Sequence, residues 1–197
     1  MVQPWDYIHR PGESGLTVES YASRTENGTG NPSSGPNVLY AQPWFTGDLA
    51  MAVASFGLRV TSLGTANVDL AVYEAKGVRD IYPGNRVWLA GSPINYGSVG
   101  TVLRTVAQSF DAGKLYWIVT NTDGGTGAHT SALNGQALNL PAGVLGYLPA
   151  TTVGANMLSV ARTYGLGLPT TFPAGAVPVG GAGFAVRTAP AIIIVPT

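Results

Sequence analysis

The chain has 197 residues, 45% of them apolar, with ten basic and ten acidic side chains, so it can bury a core, yet charged residues make up 10% of it where a soluble domain usually has about 25%. The neutral balance leaves little electrostatic footprint for direct nucleic-acid binding, the absence of cysteine excludes disulfides and thiolate chemistry, and no apolar run approaches the ~18 residues of a membrane-inserted helix. A surface so poor in charge resists association weakly, which points first to a protein covered by partners and second to one kept soluble by Ser, Thr, Asn and Gly.

Residues 1–36 stand apart. They are polar, broken by Pro and Gly, and hold four of the ten acids, Asp6, Glu13, Glu19 and Glu26. No helical or strand period persists there. Trp5, Tyr7, Ile8 and Tyr21 are too apolar for a plain flexible tail, so this stretch reads as an extended arm, with a partly ordered terminus as the alternative reading. Its aromatics are expected to dock on the following domain or on a neighbouring subunit. The start lacks the basic-then-apolar pattern of a signal peptide, so none is expected.

Residues 37–197 carry recurrent strand signals. "NVLYAQPWF" leads into "DLAMAVASFGLRVTS", which is Ala-rich. Gly57, Val53, Val60, Thr61 and the lack of a charged face favour strand over helix. "ANVDLAVYEA" alternates, with Val68, Leu70 and Val72 on one face and Asn67, Asp69, Ala71 and Tyr73 on the other. "YPGNRV" is a turn before "VWLAGS". Next, "SVGTVLRTVAQSF" and "LYWIVTNT" flank "DAGK" and read as a hairpin, with Gly113 at a left-handed turn position. In its second arm Leu115, Trp117 and Val119 are expected to face the core. Tyr116 and Ile118 then point the other way, too apolar for water, and are expected to meet another subunit, the arm or a loop from 124–183.

Residues 124–183 are irregular and Pro-rich, which suggests short edge strands among long loops. A weak helical pattern lies near 155–163. The end predicts a last strand around Phe184–Arg187 and an apolar tail. No repeat of 20–50 residues appears. With Gly and Pro near a fifth of the chain, the pattern predicts an all-β, jelly-roll-like two-sheet antiparallel sandwich with an extended arm and long Pro/Gly-rich loops.

Five stretches carry a family resemblance. "FGLRVTSLGTANVDLAVYEA", "YPGNRVWLAGS", "TVLRTVAQSFDAGKLYWIVTNTDGG", "GLPTTFPAGAVP" and "FAVRTAP" resemble, in that order, elements of the C-terminal jelly-roll domains of tailed-bacteriophage structural proteins. The resemblance covers most of Phe56–Pro190, and 126–165 departs from it. It implies a non-enzymatic virion protein assembled in the bacterial host cytoplasm. It further implies a homo-oligomer, usually a homotrimer, touching capsid or tail proteins and often a host-surface glycan. Only the 1–36 arm precedes the domain, so a short spike, head fibre, decoration or small tail component is expected rather than a long fibre.

Sites are sparse. His9 lies in the arm and His129 in a Gly-rich loop, with no nucleophile turn nearby. Asp69 and Glu74 fall on opposite faces of one strand, which is wrong for paired-carboxylate hydrolysis. Asp48, Asp80, Asp111 and Asp123 sit beside turns, as turn chemistry favours. "NTDGGTG" at Asn121–Gly127 offers oxygens to calcium but lacks the EF-hand acids, so a polar turn is the favoured reading. No catalytic residue, cofactor or metal ligand is therefore expected. Tyr82, Trp88, Tyr96, Tyr147 and Tyr164 are candidate glycan contacts, since such rings suit wet interfaces. Core or subunit contact is the favoured reading for each of them. Arg59, Arg79, Arg86, Arg104 and Arg187 lie in or beside strands and are expected to pair with Asp69 or Glu74.

Overall fold

The computed structural model describes residues 18–19, 36–46, 49–124, 129–130, 132–133, 157–179, 189–190 and 192–197. Every regular element among them is a strand: β1 (Val18–Glu19), β2 (Val38–Phe45), β3 (Met51–Ser62), β4 (Asn67–Ala75), β5 (Pro83–Leu89), β6 (Ile94–Asn95), β7 (Gly100–Phe110), β8 (Leu115–Thr122), β9 (His129–Thr130), β10 (Ala132–Leu133), β11 (Met157–Ala161), β12 (Val177–Val179), β13 (Ala189–Pro190) and β14 (Ile192–Pro196). One sheet runs β1-β14-β3-β7, with β9 also on β3. The other runs β12-β11-β2-β8-β4-β5, with β6 also on β4. β10 and β13 form a separate ladder. The two antiparallel sheets pack face to face as the β-sandwich expected from the sequence.

The strand reading of the Ala-rich segment holds. β3 turns Met51, Val53, Phe56, Leu58 and Val60 into the space between the sheets. Two inward residues are odd-numbered and three even-numbered, because the register with β7 shifts between Val53 and Ser55. At that bulge Ala107 takes φ 47, a left-handed conformation costly for a side chain with Cβ. Gly57 has the opposite logic. A Cβ there would stand 2.3 Å from the Val102 carbonyl oxygen and 2.7 Å from a Leu103 methyl, so close strand approach excludes any other residue.

The core between the sheets centres on an aromatic cluster. Phe56 meets Trp44 edge-on at 5.4 Å and Phe110 at 5.7 Å, and Trp44 meets Phe110 at 5.0 Å. Phe110 meets Tyr116 at 5.1 Å. Such edge-to-face pairs add about 0.5–1.5 kcal/mol each beyond area burial.

Three expectations need correction. The "DAGK" turn does not close a hairpin, because β7 pairs with β3 while β8 lies between β2 and β4. The chain crosses from one sheet to the other there. β7 exposes alternate residues and suits an edge. β8 is apolar on both sides and requires a central place covered above and below. Gly113 does take its left-handed position, φ 67. The crossing is pinned by Thr46, whose Oγ1 donates to the Asp111 carbonyl at 2.6 Å, and by the Tyr116 hydroxyl, which accepts from Asp111 N at 3.0 Å.

The second correction concerns the faces of β8. Tyr116 and Ile118 point into the core between the sheets. Trp117, Val119 and Leu115 point to the outer face of the larger sheet. The assignment was exchanged because neighbouring strands settle it: Ile118 stands beside Gln42 and Val72, and Trp117 beside Pro43 and Tyr73. At 4% and 2% exposure, Tyr116 and Ile118 are not available to a subunit or an arm. The outer face is nonetheless covered by a loop of the irregular region, described below. Third, the weak helical pattern near 155–163 is strand β11, paired with β2 and β12.

Val18 and Glu19 of the arm pair with Ile194 and Ile193, which ties the arm to its own domain at that point. The strand expected at Phe184–Arg187 lies outside the described residues. Two variants test this packing. Phe56→Ala should lower the unfolding free energy by about 3–5 kcal/mol in denaturant titration. Ala107→Gly should raise it by about 0.5–1 kcal/mol by relieving the left-handed strain.

Candidate functional site

The outer face of the larger sheet is divided in two. Its apolar half presents Tyr73, Trp117, Val119, Leu39 and Ala41, all buried. The cover is the segment 162–176, which seats Leu168 and Phe172 on that face. This strap is Pro-rich, so its carbonyls find few partners within the strap itself. Side chains from the sheet supply them. The Tyr73 hydroxyl donates to the Pro169 carbonyl at 2.5 Å and the Tyr82 hydroxyl to the Pro173 carbonyl at 2.6 Å. The Arg86 guanidinium donates to the Leu168 carbonyl. Trp117 Nε1 donates to the Ile81 carbonyl at 2.7 Å, which holds the neighbouring turn. Backbone bonds from Arg86 N to Thr170 O and from Phe172 N to Gly84 O lace the strap along β5.

The polar half lies toward the other end of the same face. There the odd-numbered positions of β4 and β8 become Asn67, Asp69 and Asn121, with Asp123 just past the end of β8. Asp69 stands directly opposite Asn121, and Asn67 opposite Asn95. Asp123 accepts from Asn67 N at 3.0 Å and from Asn67 Nδ2 at 2.8 Å. Asn95 Nδ2 donates to Asn67 Oδ1 at 2.9 Å. Tyr164 enters from the strap, its backbone N bonded to Asn37 Oδ1 at 2.8 Å. Burial, and secondarily the charge of Asp123, pushes the Asp69 carboxyl up from its ordinary value. Burial first, then Asp69 and Asp123, raises the Tyr164 phenol to about 12.

The sequence candidates scatter across the fold. Tyr96, 6% exposed, belongs to the core between the sheets, and Trp88 packs half-buried against it on Phe56 at 5.4 Å. Tyr82 lies under the strap with Phe172 at 5.9 Å and the Lys76 ammonium 4.8 Å from its ring. Of the candidate glycan contacts, Tyr164 alone among the described residues reaches the polar half. Of the candidate arginines, Arg86 and Arg104 hold carbonyls rather than acids. Arg104 holds the carbonyls of Ser92 and Pro93, and Arg162, which the sequence reading passed over, holds those of Gly167 and Leu166. Arg79 is exposed. Trp5, Tyr7, Ile8, His9, Tyr21, Asp48, Tyr147 and Arg187 lie outside the described residues, as do the side chains of Arg59 and His129.

Among the described residues no three of His, Cys, Asp or Glu converge as they would in a ready-made metal centre. Comparison with family models, with curated proteins and with solved structures finds no match for this chain.

The strap yields a pH prediction. Burial raises the Tyr73 phenol to about 12, with Arg86 and Arg162 opposing the rise. Unfolded tyrosine ionises near 10. The folded state holds the proton more tightly, so this contribution is whole below pH 10 and lost as pH climbs through about 12. The thermal midpoint should fall across that window, in step with tyrosinate absorbance. Tyr73→Phe should remove part of that fall and cost about 1–2 kcal/mol at pH 7 by leaving the Pro169 carbonyl without its donor.

Proposed function

We propose that this chain is a non-enzymatic structural component of a tailed-bacteriophage virion. In this reading it is a short spike, fibre or decoration protein that works as a homo-oligomer, a trimer in the simplest form, with residues 1–36 anchoring it to capsid or tail. The five-fragment resemblance and the low charge support the reading. One structural observation carries it furthest, the outer face of the smaller sheet. There Ala52, Ser55, Gly57, Leu103, Thr105, Ala107 and Ser109 form a patch without charge, small but for Leu103, over the middle of β3 and β7. β7 ends the strand order of its sheet, and its eleven residues include Arg104 as their one charge. Sheet edges usually carry Lys, Pro or a covering element to prevent pairing with other chains. Among the described residues the bulge at Ala107 and the single charge of Arg104 are the only such devices, a light defence that suits an edge and face that meet another copy.

A second reading, a receptor-binding module for a host-surface glycan, keeps Tyr164 beside Asp69 and Asp123 as its support. Tyr96 weighs against it, because it is buried in the core.

Light scattering on the purified chain tests the assembly. The wild type should run as an oligomer, and Thr105→Lys with Ser109→Lys should give a monomer with an unchanged far-ultraviolet circular dichroism spectrum. A wild-type chain that is monomeric at about 100 μM, far above the micromolar range of a specific interface, would sink the assembly reading. Mass spectrometry of purified phage particles should find the chain, and deletion of 1–36 should remove it from them.

A further inference from the structure

The polar half of the larger sheet contains a conflict among acceptors. Asn121 is 1% exposed. Its Nδ2 donates to the Arg162 carbonyl at 3.4 Å, on the side of β2 and β11. Its Oδ1 is buried without a partner. The two heads of an amide diverge, so Oδ1 turns away from that carbonyl. The residue directly across on β4 is Asp69, on the same face, where opposed Cβ atoms lie about 4.5–5.5 Å apart. Among the described residues no hydrogen bond or ion pair engages Asp69. Reversing the amide does not help, because Oδ1 would then face the Arg162 carbonyl. In either setting a buried oxygen is left without a donor, an arrangement that costs about 1–3 kcal/mol when left unresolved. The second carboxylate, Asp123, adds negative charge to the same spot. Hard oxygens, net negative charge and an unfilled amide oxygen are the chemistry of a calcium-class cation.

We propose that Asp69 and Asn121 Oδ1, with the charge of Asp123 beside them, bind a hard divalent cation of the calcium class between β4 and β8. The ion clamps the two central strands on the face where the strap ends. It satisfies the amide oxygen and offsets two carboxylates brought together by the register.

The test compares thermal midpoints of the full chain at pH 7 in EDTA and in calcium chloride. The wild type should gain about 5 °C at a hundredfold excess over Kd, saturably. Asp69→Asn supplies an amide donor to Asn121 Oδ1 and removes the charge. It should equal or exceed the wild type in EDTA and lose the calcium response. A proton on Asp69 or a bridging water would also satisfy the amide oxygen. In either of those cases the wild-type midpoint is the same in EDTA and calcium, and the proposal fails. It fails equally if Asp69→Asn keeps the full calcium response, which would place the ion elsewhere.

Discussion

The constraint on which this fold turns is that β8 is apolar on both faces. A strand with Tyr116 and Ile118 on one side and Trp117 and Val119 on the other cannot lie at an edge or face water. It takes the centre of the larger sheet, between β2 and β4. One face is then buried by the smaller sheet. The other needs a second cover, and the chain supplies it from its own segment 162–176. That segment cannot pair as a full strand, because prolines interrupt its donors. It is held instead by side-chain donors, the hydroxyls of Tyr73 and Tyr82 and the guanidinium of Arg86. Arg86 and Arg162 are thereby committed to carbonyls of the cover rather than to ion pairs.

The same constraint produces the polar half. Where the strap gives way to Tyr164, the outward positions of β4 and β8 change to Asn and Asp. The strand register, fixed by the apolar half, brings Asp69 opposite Asn121 regardless of whether that local pairing is favourable. The proposed cation between them and the proposed contact face on the opposite sheet are compatible with each other. They lie on opposite outer surfaces of the sandwich, so loading one does not obstruct the other.

Much of the fold was legible in residue pattern. The alternation at Asn67–Tyr73 placed Val68, Leu70 and Val72 together, and the structure groups them in one core. Gly57, Val53 and Val60 correctly argued strand where alanines argued helix, since β-branched residues suit a pleated, half-buried surface. Gly113 was legible because a left-handed turn has few candidates. The "DAGK" hairpin was misread because a short turn between two strand-like runs looks the same whether the strands pair or pass to different sheets. The faces of β8 were exchanged for a related reason. When both sides are apolar, periodicity gives a face no label. The roles of Arg86, Arg104 and Arg162 left no local signal, because their acceptors are carbonyls roughly ten to eighty residues away, or in the irregular loop beside Arg162.

By itself, then, the sequence determined an all-β sandwich with a large apolar core, little charge and no thiol chemistry. Those properties follow from composition and period, which are local and survive any topology. Only the tertiary structure decided which face of β8 meets which cover, what the arginines hold, and that Asp69 and Asn121 stand opposed with a buried oxygen between strands. Those outcomes depend on register between segments dozens of residues apart. Register is set by the summed burial of both sheets, a property that no short stretch of this chain carries alone.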